Sequence, residues 1–289
     1  MRDEPSRTAE AVCFMRASDQ RRNPETRILE DPYARLFLGP MMRAALATVE
    51  ATGRIGEKTE TLVPGLTTFI LTRHRFIDDC LARRLDAGAV EQLVLLGAGY
   101  DTRAYRFAPR LEHIPVYEVD FPSTSRRKAQ IIRENAAEMP AIDVRVVEID
   151  FQSQTLDERL PLAGFARGAR TFVVWEGVSM YLTRKAVQDT LRTVRAMSAP
   201  GSELTMDFWY LLDAPDLVST AHRMSANLLH LLGEPVTFGI HPEDVGPFLD
   251  RLGWEIVELA TAADLEQRYV RDGRSVYPAN YMVHMRSKA

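Results

Sequence analysis

The stretch Leu93 to Phe107 reads LVLLGAGYDTRAYRF, an apolar run that ends in Gly97-Ala98-Gly99 and then becomes charged. Because glycine has no Cβ, a strand that ends this way can turn sharply and bring its backbone against a ligand. Ligands of doubly wound sheets bind at the carboxyl ends of strands, where the strand order reverses. The stretch predicts that Gly97 and Gly99 contact a nucleotide-like ligand, although Gly-X-Gly also ends many ordinary strands.

Short apolar runs recur along the chain after this stretch and are separated by polar segments of helical length. The first five runs are QLVLLGAG, IPVYEVD, VRVVEID, TFVVWEG and SELTMDFW. This alternation is typical of a parallel sheet covered by helices on both faces. Two later runs, GWEIVELA and NYMVHMR, complete the sheet, and the last of them is free to run antiparallel. The pattern predicts an α/β, doubly wound fold.

The chain divides into two predicted regions. Residues 1–90 carry Ala-rich and amphipathic segments at helical spacing and form a helical N-terminal extension. Residues 91–289 form the domain that contains the sheet. An insertion at about 211–236, rich in Leu and Met, follows the fifth strand. Its position favours a lid over the site, and a structural hairpin packed on the N-terminal helices fits equally well.

Composition limits the function classes. The 289 residues are 46% hydrophobic and 26% charged, which suits a soluble globular enzyme. The net charge of −4 gives no general attraction to nucleic acid or to an anionic membrane, and neither is an expected partner. The only compact basic cluster, Arg126 to Lys128, fits the exposed face of a helix.

The cysteines and the N-terminus indicate a location. Cys13 and Cys80 are too few for a disulfide framework or a zinc site, so we expect buried thiols in a reducing compartment and no metal. The N-terminal segment is polar where a signal peptide needs an apolar core. We therefore expect a cytoplasmic protein.

The second strand ends at Asp120, 21 residues after Gly99. An acid at about this distance can accept hydrogen bonds from both ribose hydroxyls of an adenosine. A dinucleotide site would place a third glycine where this chain has Thr102, and no phosphate cradle is evident. An adenosyl ligand without phosphates, such as S-adenosylmethionine, fits this turn better than NAD.

The third and fourth strands also end in candidate ligand residues. Asp150 and Phe151 could bind the amine of adenine and cover its ring, although a helix cap and a core aromatic explain them nearly as well. Glu176 precedes Gly177 at the end of the fourth strand and could hold the ammonium of a methionyl group. Tyr181 follows closely and could line the site of methyl transfer.

Four segments together resemble the leucine carboxyl methyltransferase family, in particular its bacterial branch that includes polyketide carboxyl O-methyltransferases. The segments are RILEDPYARLF, LLGAGYDTRAYR, EVDFPSTSRRK and WEGVSMYL. The resemblance spans Thr8 to Trp254 and implies a seven-stranded class I S-adenosylmethionine fold, which is Rossmann-like, with a helical extension and a cap over the acceptor pocket. It implies S-adenosylmethionine as cofactor, with S-adenosylhomocysteine as product.

The resemblance also implies individual roles for residues of this chain. Arg73 would bind the methionine carboxylate, and Gly97, Ala98 and Gly99 would lie against the ligand. Asp120 would bind the ribose, Asp150 and Phe151 the adenine, and Glu176 would lie near the methionyl amine.

The phosphatase-modifying members of the family carry a lysine near their N-terminus, where this chain has Arg16 and Arg21-Arg22. That departure argues against a protein C-terminus as acceptor.

The chemistry of the acceptor decides which further groups are needed. A carboxylate is already ionised at neutral pH and needs only a group that orients it, for which Arg16, Tyr181 and Tyr210 are candidates. A phenol needs a base, for which His222 in the insertion and His241 are candidates. His241 also fits a simple position at a helix start, and we interpret His74 and His113 as structural or solvent-facing.

These features predict an O-methyltransferase that acts on a carboxylate of a small molecule, with a phenol or hydroxyl acceptor, or a protein C-terminal carboxylate, as the alternatives. Phe208-Trp209-Tyr210 could wall a pocket for a flat, apolar acid, although such residues often complete a core. A nicotinamide-dependent dehydrogenase, a non-catalytic sensor of adenosyl ligands and a nucleic-acid methyltransferase fit less well. The sequence gives no oligomeric state.

Overall fold

The computed structural model describes residues 7–52, 63–151, 153–210 and 237–289. Seven strands form one sheet in the order β3-β2-β1-β4-β5-β7-β6. The strands are β1 Gln92–Leu96, β2 Val116–Asp120, β3 Val144–Glu148, β4 Thr171–Trp175, β5 Glu203–Trp209, β6 Trp254–Ala260 and β7 Asn280–Ser287. Strands β1 to β5 pair in parallel, and β7 lies antiparallel between β5 and β6. The doubly wound seven-stranded fold and the antiparallel last strand are thereby confirmed.

Helices cover the sheet and form the N-terminal extension, as the helical periodicity predicted. The α-helices are α1 Arg7–Asp19, α2 Pro40–Thr52, α3 Leu66–Asp86, α4 Arg103–Arg106, α5 Pro122–Glu134, α6 Leu156–Leu162, α7 Arg184–Met197, α8 Pro242–Asp250 and α9 Ala262–Tyr269. The described part of the chain also contains three short 3-10 helices, Ala34–Phe37, Ala108–Arg110 and Ser179–Tyr181. The insertion at 211–236, with His222, lies outside the described residues.

Strand β1 is buried on both faces of the sheet, which explains its unbroken apolar run. Leu93 and Leu95 share one core layer with α1, α3 and α5, whereas Val94 and Leu96 share the other with α6, α7 and α8. The helices of the N-terminal extension therefore belong to the same hydrophobic core as the sheet. This packing places α1 and α3 beside the carboxyl ends of β1 and β4.

Several smaller predictions are settled by burial. Cys13 and Cys80 are both buried free thiols, as expected. The basic cluster on α5 is only partly exposed: Arg126 faces solvent, but Lys128 is buried and lies 2.8 Å from Glu118. The cluster is thus not a basic surface, because one of its cations neutralises a buried carboxylate.

Among the described residues, no helix has both the length and the apolar composition needed to cross a membrane.

Candidate functional site

The turn after β1 is built from two glycines in the left-handed region and a carboxylate. Gly97 has a φ of +67° and Gly99 a φ of +45°. The amides of Gly97 and Ala98 both donate to the Val119 carbonyl, at 2.8 and 3.0 Å. Asp120 accepts from the Gly99 amide at 2.5 Å and from the Phe121 amide at 2.6 Å. The predicted ribose acid therefore also holds the first turn in place, while its burial raises the pKa of its carboxyl.

Gly97 is needed for packing as much as for a ligand. A Cβ at Gly97 would lie 2.4 Å from Val178 Cγ2, in the loop after β4, whereas a Cβ at Gly99 would lie 3.4 Å from Ala9 Cβ on α1. The absence of a side chain at Gly97 thus leaves room for the loop that carries Val178. This reason for a glycine at position 97 was not evident from the sequence. The contact at Gly99 shows that α1 lies over the turn.

We expect Gly97→Ala to lower the free energy of unfolding by at least about 1–2 kcal/mol, because alanine is strained in the left-handed region. The clash with Val178 should add to this loss. Chemical denaturation of Gly97→Ala and of Gly97→Ala/Val178→Ala separates the two contributions, since the double variant recovers only the steric part. Wild-type stability of the single variant would contradict the packing that we describe.

Glu176, directly after β4, is the centre of a buried ionic cluster. Its Oε1 accepts from Arg73 Nε at 2.8 Å and lies 2.7 Å from His74 Nδ1, and its Oε2 accepts from Arg103 Nη1 at 2.7 Å. Burial opposes ionisation of the carboxyl, but these three partners hold the pKa of Glu176 well below its usual range. Glu176 is therefore a carboxylate at neutral pH, with one lone pair of Oε2 not used by these partners.

Arg73, on α3, is held between two carboxylates. Besides Glu176, it donates from Nη1 to Asp207 Oδ2 at 3.1 Å, and Asp207 Oδ1 accepts from the Gly177 amide at 2.6 Å. A Cβ at Gly177 would lie 3.2 Å from both terminal nitrogens of Arg73, so glycine leaves room for the guanidinium. Among the described residues, Nη2 of Arg73 has no hydrogen-bond partner. Together with the second hydrogen of Nη1, it remains as a donor for a ligand.

The charged residues after the first turn extend the cluster. Arg103 is fully buried and donates to Asp78 Oδ1 at 2.7 Å and to Asp101 Oδ2 at 2.5 Å, in addition to Glu176. Although burial opposes ionisation, Arg103 lowers the pKa of Asp101 to about 2. Arg106 donates to Asp78 Oδ2 at 2.5 Å. The segment DTRAYR is therefore the buried support of the site.

Arg16 is part of this interior as well, which corrects the expectation that it orients an acceptor. Its side chain is 1% exposed. It donates to Asp31 at 2.7 Å, to the Tyr100 carbonyl at 2.7 Å and to Cys13 Sγ at 2.8 Å. Its two terminal nitrogens are thus engaged inside the protein, where they tie α1 to the first turn, while Nε makes no hydrogen bond to the described residues.

The predicted adenine residues lie apart from the cavity beside Asp120. This cavity of about 380 Å³ is lined by Gly99, Asp120 and the Glu118–Lys128 pair, together with apolar residues of α5 and β3. Asp150 and Phe151 do not line it, and Phe151 is 55% exposed at the turn after β3. Their assignment to adenine remains a prediction.

The candidate acceptor residues surround the ends of β4 and β5. Tyr181 ends the 3-10 helix that follows Gly177 and is half-buried. Tyr210 donates its hydroxyl to the Pro278 carbonyl at 2.8 Å, and its ring lies 5.2 Å from that of His241. His241 is the N-cap residue of α8, the structural position that we considered for it. Phe208 is a core residue, whereas Trp209 and Tyr210 are half-buried.

One group in the described part of the chain has the residue types of a metal site: Cys80, Glu258 and His284, whose ligand atoms lie within 4.8 Å of one another. Glu258, however, is already paired with Arg83 and Arg268. Burial raises the pKa of the Cys80 thiol to about 12, which opposes formation of the thiolate ligand. We therefore assign no metal to these residues.

Sequence reasoning missed six members of the ionic cluster: His74, Asp78, Asp101, Arg103, Arg106 and Asp207. Charged residues in a sequence usually indicate solvent, and their partners here come from distant segments. A signal existed at Asp207, a lone acid inside the apolar strand ELTMDFW. Of the predicted residues, Arg73 and Glu176 lie together, and Gly97, Ala98, Gly99 and Asp120 form the adjacent turn.

Comparison with known proteins gives a consistent set of relatives. The family described as leucine carboxyl methyltransferase matches residues 9–195. An inferred S-adenosyl-L-methionine-dependent methyltransferase of Mycolicibacterium paratuberculosis is 32% identical, over 93% of this chain and 88% of its own. A relative of the same description from Saccharopolyspora erythraea is 31% identical, over 86% of this chain and 83% of its own.

Solved structures share the fold at low identity. A DUF574 family protein from Streptomyces avermitilis has a TM-score of 0.60 and 15% identity, and covers 94% of this chain and 96% of its own. An inferred methyltransferase from Thermobifida fusca has a TM-score of 0.59 and 16% identity. The match covers 100% of this chain and 97% of the Thermobifida chain.

Proposed function

The chain belongs to the leucine carboxyl methyltransferase family and is an S-adenosylmethionine-dependent methyltransferase, and from that premise we propose that it methylates a carboxylate of a small molecule. The acceptor class that we propose is a polyketide acid or another acid of secondary metabolism. The products are the methyl ester and S-adenosylhomocysteine.

The residues described above fit this cofactor. Arg73 has an unpaired donor, Nη2, for the methionyl carboxylate, and Glu176 has an acceptor position at Oε2 for the methionyl ammonium. We assign the ribose hydroxyls to Asp120, whose position at the end of β2 supports that role. When bound, the cofactor supplies an electrophilic methyl group on a sulfonium. The chain supplies oppositely charged partners for the two ends of the methionyl group.

The observation that supports a carboxylate acceptor is the pairing of Glu176 with Arg73 and Arg103, and of Asp101 with Arg103, inside the protein. The pKa of Glu176 is held well below its usual range, and that of Asp101 is lowered to about 2, so neither can deprotonate a phenol of pKa about 10. A carboxylate acceptor is ionised at neutral pH and needs no base. What the chain must then do is hold the acceptor oxygen in line with the methyl group and exclude water.

Asp120→Ala should weaken binding of S-adenosylmethionine by about 1–3 kcal/mol, roughly 5- to 150-fold, because it removes the ribose acceptor and a support of the first turn. Isothermal titration with S-adenosylmethionine measures the change. Asp143→Ala, at an exposed acid before β3, is the control. An unchanged dissociation constant in Asp120→Ala would remove the ribose assignment.

The acceptor proposal is tested with the purified protein, labelled S-adenosylmethionine and three acceptor sets. These are aromatic and polyketide-like carboxylic acids, the matching phenols without a carboxyl group, and peptides that end in leucine. We expect methyl esters, which dilute base hydrolyses, from the acids alone. Base-stable methyl ethers from the phenols would instead establish the hydroxyl alternative, and esters from the peptides would establish a protein C-terminus as acceptor.

A further inference from the structure

The imidazole of His74, on α3, is buried directly against the cofactor-binding carboxylate. Its Nδ1 lies 2.7 Å from Glu176 Oε1 and 2.9 Å from the carbonyl oxygen of Ile70, one helical turn earlier. Both neighbours are acceptors only, since Glu176 is ionised. Nδ1 must therefore carry the hydrogen, which is bonded to the Ile70 carbonyl and lies against Glu176 Oε1.

The tautomer of the ring follows from this geometry. Burial lowers the pKa of His74, and Arg103 lowers it further, while Glu176 raises it in part. The ring is consequently neutral at pH 7, with its hydrogen on Nδ1 and a lone pair on Nε2.

We propose that His74 is a positioning residue for the cofactor: its Nδ1–H fixes the Glu176 carboxylate so that the open lone pair of Oε2 faces the methionyl ammonium. The proposal rests on the cofactor role of Glu176 given above. Arg73 and Arg103 hold Glu176 from two sides, one at each oxygen. His74 adds the second donor to Oε1, which saturates that oxygen and leaves Oε2 as the one available to a ligand.

The charge state of His74 matters for the same reason. The charged groups that act on it are Glu176 after β4, Arg103 on α4, Arg16 on α1 and Asp31. A protonated ring would place an additional positive charge against Glu176 and would compete with the ammonium for that carboxylate. Cofactor affinity should accordingly fall as the pH drops far enough to protonate His74.

Two amides separate the roles of the two ring nitrogens. In His74→Asn the amide nitrogen can take the position of Nδ1 and donate to Glu176, whereas in His74→Gln it reaches the position of Nε2 instead. His74→Leu offers no donor at all. His113→Asn, at an exposed histidine, is the matched control.

The experiment is isothermal titration of each variant with S-adenosylmethionine, without any acceptor, between pH 5.5 and 8. We expect His74→Asn to bind within about threefold of the wild type, and His74→Gln and His74→Leu to bind roughly tenfold or more weakly, the effect of losing a hydrogen bond to a charged group. His74→Asn should also lack the decline of affinity at acid pH that we expect for the wild type.

Three outcomes would overturn the proposal: His74→Leu binding as the wild type does, His74→Asn binding as weakly as His74→Leu, or His74→Gln binding as well as His74→Asn. If His74→Leu fails to fold, the comparison of the Asn and Gln variants decides alone. A wild-type protein that binds the cofactor but esterifies no acid would reject the proposed acceptor and leave this test intact.

Discussion

Glu176→Gln should lower the free energy of unfolding by about 3–5 kcal/mol, the usual cost of removing one partner from a buried ion pair. Glutamine keeps the size of the side chain but removes the charge that faces Arg73 and Arg103. Its amide can accept at only one of the two oxygen positions that these arginines use. Urea denaturation of the two proteins, followed by circular dichroism, measures the difference.

The pH dependence of this loss has a defined sign. Because the pKa of Glu176 is lower in the folded than in the unfolded protein, its contribution is present above pH 4.5 and is lost as the pH falls toward its folded pKa. The difference in free energy of unfolding between the wild type and Glu176→Gln should therefore become smaller at acid pH. Glu148→Gln, in a solvent-exposed pair with Arg126, is the control and should leave stability nearly unchanged. If Glu176→Gln lost as little stability as the control, Arg73 and Arg103 would not need a carboxylate at position 176.

Arg73→Met should weaken cofactor binding by about 2–5 kcal/mol, a factor of roughly 30 to several thousand, because the methionyl carboxylate would enter a site with unpaired acids. Glu176 and Asp207 both lose a cation in this variant, and both are buried. Titration with S-adenosylmethionine and, separately, with S-adenosylhomocysteine should show the loss for both ligands, since both carry the carboxylate.

Arg75→Met is the matched control, since Arg75 lies two residues away on the same helix and pairs with Asp79 at the surface. It should leave the dissociation constant unchanged. If Arg73→Met binds the cofactor normally but turns over slowly, Arg73 belongs to the acceptor side of the site. Circular dichroism before each titration shows whether Arg73→Met is folded at 25 °C. If it is not, Arg73→Lys, which keeps the positive charge, is titrated in its place.

The sheet was predictable because its determinants are local. Each parallel strand is a short apolar run in the sequence. The run that ends at Gly97 predicts both β1 and the turn that follows it. The pairing of Asp120 with that turn also follows from spacing, since parallel strands end at the same edge. The assignment of Arg73 and Glu176 to one ligand came instead from the resemblance to the family, and the structure brings these two side chains into contact.

The buried ionic cluster was not predictable, because its cause is tertiary. Arg103 and Asp78 are separated by 25 positions and Arg73 and Asp207 by 134, and only the packing of α3 against the ends of β4 and β5 joins them. Local pattern assigns such residues to solvent. Arg16 was misassigned for the same reason, since nothing near it in the sequence reveals that Asp31 and Tyr100 enclose it.

The bonds from α1 to the first turn set a limit on protein engineering. A minimal catalytic fragment cut at the start of β1 would discard Arg16 and leave the Tyr100 carbonyl and Thr102 without the donor that they now share. It would also uncover the backbone of Gly99, which Ala9 now covers. Because the helical extension packs on the turn that we propose for the cofactor, a fragment that starts at β1 should bind S-adenosylmethionine poorly, and truncation from the N-terminus should be avoided.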